Sequence, residues 1–206
     1  MKKVAVIGSG SWGTALSTLL ASTSDEVIIW SREADVTESI NKEHVNCRHL
    51  SDSELPHNIV STTSEDEALT GVDAVVMAAP SAFLRSVCAA CAPYLDPEVD
   101  VLILSKGMEA GSHKLMHEVA ADELGNPARI AVLSGPNHAE EVIKQGISAA
   151  VVASEDAEVA KRFQTLLSRS YFRTYVSSDV RGVEACAAAK NVVAIACGIA
   201  VGLGNG

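Results

Sequence analysis

The residues that could do chemistry fall in six short stretches. Gly8, Gly10 and Gly13 are spaced G-x-G-x-x-G within "VAVIGSGSWGTALSTLLA". Ser31-Arg32 closes one apolar run; Pro80-Ser81, Lys106-Gly107 and Gly135-Pro136-Asn137 close three others. Lys190-Asn191 interrupts a long stretch of alanine, valine and glycine. The glycine spacing suits a dinucleotide. Gly8 allows a tight turn, Gly10 lets a pyrophosphate approach the backbone, and Gly13 permits close packing of helix on strand. The helix beginning at Ser11 then turns free N–H groups and a partial positive charge towards the phosphates. Arg32 has the planar fork that matches a 2′-phosphate and so predicts NADP(H). The alternative is that Glu33 reaches the ribose hydroxyl, which admits NAD(H). An ammonium among alanines and valines, as at Lys190, is expected to lose solvation. Its pKa then falls towards the working pH, and it can protonate an oxygen that gains charge. Lys106 would add a second positive charge. Glu184 lies six residues before Lys190, off its helix face, so an ion pair between them is not expected.

These stretches need elements to position them. Val4–Ile7, Glu26–Trp30, Ile59–Ser61, Asp73–Ala78, Val99–Leu104 and Ile130–Leu133 are short, mostly apolar and β-branched, and read as strands. Ser148–Ala153 and Tyr171–Val176 read as two more. Helices are expected from Ser11, over Ala34–Lys42, over Ala82–Ala92 before Pro93, over Lys114–Leu124 and over Ala157–Ser168. Alternating strands and helices predict an α/β fold, a Rossmann-like doubly wound parallel sheet, with ligands at the carboxyl ends of its strands. The unusual residues collect at those ends. Residues 1–178 form this expected domain, and residues 179–206 begin a second one.

The chain has 206 residues, 48% hydrophobic but only 4% aromatic, and a formal net charge of −10. The core must therefore be aliphatic. Bulk charge of this sign excludes nucleic acid and anionic membrane as partners. Five cysteines, an odd number scattered among alanines and valines, are no disulfide framework and suit a reducing cytoplasm. Cys88 and Cys91 read as a buried thiol pair, and His44, His49 and His57 as solvated or locally bonded, so no metal site is expected. Lys2 and Lys3 precede a glycine-bearing strand, not a cleavable signal.

From Gly182 to Gly206 the sequence "GVEACAAAKNVVAIACGIAVGLGNG" is apolar on every side, as in a helix buried in protein or membrane. Lys190-Asn191 at its middle argues against a membrane span.

"GSGSWGTAL", "AAPSAFLRSV", "SKGME", "LSGPNHAEEV" and the alanine-rich stretch, in this order and nearly end to end, resemble the NAD(P)-dependent glycerol-3-phosphate dehydrogenase family of bacterial type. The resemblance implies reduction of dihydroxyacetone phosphate to sn-glycerol 3-phosphate for glycerophospholipid synthesis. It also implies a dinucleotide-binding domain joined to an all-α C-terminal domain. By resemblance Ser11, Trp12, Arg32, Pro80 and Ala139 join the glycines at the cofactor. Lys106 lies near cofactor and substrate, and Gly135, Asn137 and Asn191 contact substrate. Lys190 is the catalytic lysine. Asn137 stands where the family usually has Ser or Thr. The family's substrate-holding Asp and Arg-Asn pair have no counterpart here, so only the first helix of the second domain is expected, with a homodimer as one possible assembly. Two rivals remain open: a related hydroxy-acid or keto-acid reductase, and a nucleotide-binding module without turnover.

Overall fold

The computed structural model describes residues 1–205. In the first strand, β1 (Lys3–Ile7), Val4 and Val6 pack on one side while Ala5 and Ile7 pack on the other. That division runs across the whole sheet and makes two aliphatic cores. Helices α1 (Ser11–Ala21), α2 (Ala34–Glu43), α6 (Ala139–Ile143) and α7 (Ala157–Leu167) cover one face. Helices α3 (Glu65–Leu69), α4 (Leu84–Cys91) and α5 (Met116–Leu124) cover the other. A sheet buried on both faces accounts for strands that read as continuous apolar runs.

The eight strands lie in the order β3-β2-β1-β4-β5-β6-β7-β8. After β1 come β2 (Glu26–Trp30), β3 (Ile59–Thr62), β4 (Ala74–Met77), β5 (Asp100–Ile103), β6 (Ile130–Ser134), β7 (Ser148–Ser154) and β8 (Phe172–Ser177). The order reverses between β1 and β4. That crevice, outside the carboxyl ends of the strands, is where sheets of this kind take ligands.

The Rossmann-like reading holds, with one departure from an all-parallel sheet. β7 pairs antiparallel with β6, Ser134 opposite Val151 and Ala131 opposite Ser154. The connection from Gly135 to Ile147 contains only the five-residue α6 and a turn at Gly146, so the chain re-enters the sheet at the end it left and must run backwards. α7 then crosses over and makes β8 parallel to β7.

The last helix, α8 (Val180–Gly202), starts just after the sheet ends. Asp179 caps it by accepting from the Gly182 N–H at 2.8 Å. Its first turns are fastened to the sheet domain: Val180 and Glu184 are buried. Glu184 accepts a hydrogen bond from the His117 N–H at 3.1 Å and bonds the His117 ring through Nδ1. Beyond Ala188 the helix is largely exposed. It is the one helix among the described residues long and apolar enough to cross a membrane.

Candidate active site

The glycine turn sits at the crevice between β1 and β4. Gly8 has φ +123°, and a Cβ there would lie 2.9 Å from the Ala78 carbonyl oxygen, so only glycine fits at this crossing of two loops. A Cβ on Gly13 would lie 2.2 Å from the Gly8 oxygen, which is how α1 approaches β1 so closely. Gly10 is different. Its φ of −66° is open to any residue, and a Cβ there would meet nothing within 4 Å. Its bare side faces open space. Gly10 caps α1 without a side-chain hydrogen bond, and the first turn, with Ser11 and Trp12 half-buried, carries no acid. The first N–H groups of α1 are thus free to receive an anion. A cradle that a methyl group would fill, over unclaimed donors, fits a pyrophosphate.

The walls of a cavity of about 510 Å³ include this turn, Arg32 and Glu33 after β2, Pro80 and Phe83 after β4, and His49. Ser31 is fully buried and shares a 2.8 Å hydrogen bond with Ser9, which locks the end of β2 to the turn. Arg32 itself is 80% exposed and pairs with Glu33 at 3.6 Å. The loop carrying His49 is held by Asn46, which is buried. Its Nδ2 donates to the Ser9 carbonyl and to Thr14 Oγ1, both at 2.8 Å, while its Oδ1 accepts from the Arg48 and His49 N–H groups.

A second cavity, of about 470 Å³, opens at the ends of β5 and β6. Lys106, Gly135, Lys190 and Asn191 all line it, with Gly107, Ser134, Pro136 and Cys186. Lys106 Nζ donates to the Gly135 carbonyl at 3.1 Å. Gly135 is boxed in: a Cβ would lie 2.6 Å from both the Ala149 oxygen and Asn137 Nδ2. Asn137 is therefore packed against Gly135, half-buried. The two cavities are neighbours, because Gly107 in the second lies against Ser81, which follows Pro80 in the first. Four sequence-distant segments thus bring two lysines, two amides and a glycine turn to one edge of the sheet.

One expectation needs correction. Lys190 is exposed where burial among alanines and valines was expected. Lys106 is also exposed by surface area, yet the protein around its stem pushes it below the ordinary lysine value, with the charge of Lys190 adding to the effect. Ala139 is buried at the start of α6 and packs in the core beside α1. The absence of an ion pair between Glu184 and Lys190 agrees with the reading, since Glu184 takes His117 instead. Cys88 and Cys91 are buried, and burial pushes both thiols up to about 12. His44 and His57 pack ring against ring, centroids 4.1 Å apart. No metal-holding group of side chains occurs among the described residues.

Phe83 and Asn46 escaped the sequence reading. Phe83 is 58% exposed in a chain with few aromatics, at the end of a strand beside the glycine turn, and that position was a usable signal. Nothing in the sequence separates Asn46 from other loop amides.

Residues 3–160 match the family model for the NAD-dependent glycerol-3-phosphate dehydrogenase N-terminus, and residues 179–206 match the model for its C-terminus. The glycerol-3-phosphate dehydrogenase (NAD(P)+) of Streptomyces griseus is 46% identical over 99% of this chain and 61% of its own length. That of Thermobifida fusca is 45% identical over 100% of this chain and 62% of its own. The chain thus spans about three fifths of the length of these relatives. The crystal structure of a glycerol-3-phosphate dehydrogenase from Coxiella burnetii superposes with a TM-score of 0.88 at 35% identity, over 100% of this chain and 62% of that one. With glycine turn, crevice and sheet order in place, this chain belongs to the NAD-dependent glycerol-3-phosphate dehydrogenase family.

Proposed function

We propose that the complete protein carrying these residues reduces dihydroxyacetone phosphate to sn-glycerol 3-phosphate with NADPH, in the cytoplasm, for glycerophospholipid synthesis. Residues 1–178 bind the dinucleotide, and residues 179–206 begin a helical substrate domain. The observation that supports this reading is the cavity lined by Lys106, Gly135, Lys190 and Asn191, next to the one that the glycine turn lines.

A bound NADPH supplies a hydride to the ketone carbon. The residues of this chain do the rest. The free N–H groups of α1 would hold the pyrophosphate, with Gly8, Gly10, Gly13, Ser11 and Trp12 forming that part of the site. Arg32 would meet the 2′-phosphate, which would favour NADPH over NADH. Pro80 and Phe83 wall the dinucleotide, and Ala139 supports α1 from beneath. Gly135, Asn137 and Asn191 hold the substrate. As negative charge grows on the carbonyl oxygen, the Lys190 ammonium transfers a proton to it and is left neutral, to be recharged from water. The positive charge of Lys106 stabilises the same oxygen. In the reverse direction neutral Lys190 takes the proton back.

We read α8 as part of the second domain and not as a membrane span. Arg181, Glu184 and Lys190 lie along it, and the family's C-terminal match begins at residue 179. A homodimer is tested by sedimentation equilibrium. The functional test is NADPH oxidation with dihydroxyacetone phosphate beside a panel of keto acids. Turnover confined to the triose phosphate is expected. Preference for a keto acid would make the protein a hydroxy-acid reductase, and binding without turnover would make it a nucleotide-binding module.

A further inference from the structure

Helix α4 serves two places at once. Val87, Ala90 and Cys91 on it, with Phe83 just before it, line the dinucleotide-sized cavity. Arg85 reaches instead to the loop that follows β5. Its Nε donates to Glu109 Oε1 at 2.7 Å and its Nη2 to Glu109 Oε2 at 2.8 Å, two parallel bonds of the fork-on-carboxylate kind. The same guanidinium reaches Glu123 at 2.5 Å and Asp122 at 3.0 Å on α5. Three carboxylates from two segments thus converge on one cation, and Ser112 Oγ donates to Glu109 at 2.6 Å as well. The guanidinium holds the Glu109 carboxyl down at about 2.

Glu109 is the third residue after Lys106. The intervening backbone is fastened at both ends. At one end Ser105 Oγ donates to the Ala79 carbonyl at 2.5 Å. At the other, Glu109 sits on Arg85. Between them Gly107 bends the chain at φ +124°, a conformation that leaves glycine freer than any other residue to rotate. Lys106, at the near side of that bend, donates from its Nζ to the Gly135 carbonyl, so where the hairpin sits against α4 sets where Lys106 points. With the Glu109 side chain released, the loop keeps the Ser105 hydroxyl and the backbone bonds of its own hairpin, where the Glu109 N–H donates to the Lys114 carbonyl at 2.9 Å, but it loses its tie to α4.

We propose that Arg85 is a positioning residue: by clamping Glu109 it fixes the loop that aims Lys106 at Gly135 and at the substrate oxygen. The proposal rests on the reading of Lys106 as a group that touches substrate. Neither Arg85 nor Glu109 lines either cavity, so their effect on the reaction must pass through the loop.

The test is a double-mutant cycle in the complete protein, because two residues that act through one interaction do not add. Arg85→Gln and Glu109→Gln are made singly and each with Lys106→Ala. Turnover of dihydroxyacetone phosphate, NADPH affinity and thermal unfolding are measured. Each single variant is expected to lower kcat by about 10- to 100-fold, the scale of a misplacement near 1 Å. NADPH Kd should stay within about twofold of wild type, since the cofactor walls are untouched. On Lys106→Ala, neither substitution should lower kcat further by more than about twofold. A full further loss on that background overturns the proposal, because the clamp would then serve the fold at large. Wild-type turnover in Arg85→Gln, beside a crippled Lys106→Ala, overturns the proposal alone. Wild-type turnover in Lys106→Ala overturns the reading of Lys106 and takes the proposal with it. Where Arg85→Gln does not fold, Glu109→Gln carries the same cycle, since it keeps the side chain's size and one acceptor oxygen.

Discussion

Two alanine substitutions at the glycine turn separate binding from folding. At Gly10 the backbone is extended, with φ −66° and ψ 172°, and an added methyl meets no protein atom within 4 Å. Glycine to alanine at a compatible position raises stability by about 0.4–1 kcal/mol, chiefly by restricting the unfolded chain. The same methyl enters the space over the free N–H groups of α1 and pushes an anion off them. Losing one charge-assisted hydrogen bond costs about 1.5–3 kcal/mol, which is roughly 10- to 150-fold in NADPH Kd. Gly13→Ala does the opposite to the fold. Its methyl would lie 2.2 Å from the Gly8 oxygen and 3.1 Å from the Ala78 side chain. The helix must back away by roughly 1 Å, and overpacking of this kind costs about 1–3 kcal/mol. Thermal unfolding and NADPH fluorescence titration of both variants read the difference. Gly10→Ala should melt at or above the wild-type temperature yet bind NADPH weakly, while Gly13→Ala should lose both. Wild-type NADPH affinity in Gly10→Ala would refute the argument for a pyrophosphate over this turn.

Arg32→Ala should weaken NADPH by about tenfold or more, the worth of one charge-assisted phosphate contact, and NADH much less; equal losses would return the choice to Glu33. Lys106 should react with an amine-selective reagent at lower pH than the other lysines, because its folded-state pKa is lowered by burial and by Lys190. The unfolded chain then binds the extra proton between the two values, so this residue's contribution to stability rises with pH across that window; a pH profile of modification at Lys106 matching the surface lysines would contradict the assignment. Glu109 has the same slope in an acid window. Its contribution is fully present above its ordinary value of 4.5 and is lost as pH falls towards about 2, so Glu109→Gln should flatten the acid limb of the melting-temperature profile.

Much of this site was legible because its requirements are local. Gly8 and Gly13 are demanded by backbone geometry within a few residues, and the strands around them are buried on both faces and read as apolar runs. Ser31, Pro80, Lys106 and Gly135 follow strands directly, so finding the strands placed them at one edge. What escaped depends on distance or brevity. The reversal of β7 is set by how far the chain travels after Gly135, which no residue announces. α3 and α6 span five residues each, too few to show a helical period, although Ser64 and Glu67 had the spacing of a cap. Glu184 finds His117 across 67 positions and Arg85 finds Glu109 across 24. The alanines and valines around Lys190 in sequence suggest burial, but exposure depends on what packs against a helix, and residues on the same helix do not cover it.

The central claim is that Lys190 provides the proton for ketone reduction in a pocket formed beside a bound NADPH. The most direct measurement is steady-state turnover of dihydroxyacetone phosphate by Lys190→Ala in the complete protein, at NADPH occupancy equal to that of wild type. Loss of a positioned acid costs ~10²–10⁴-fold, so kcat should fall by that factor while NADPH affinity is unchanged. A variant whose turnover stays within about threefold of wild type, far short of that range, would mean that another group delivers the proton.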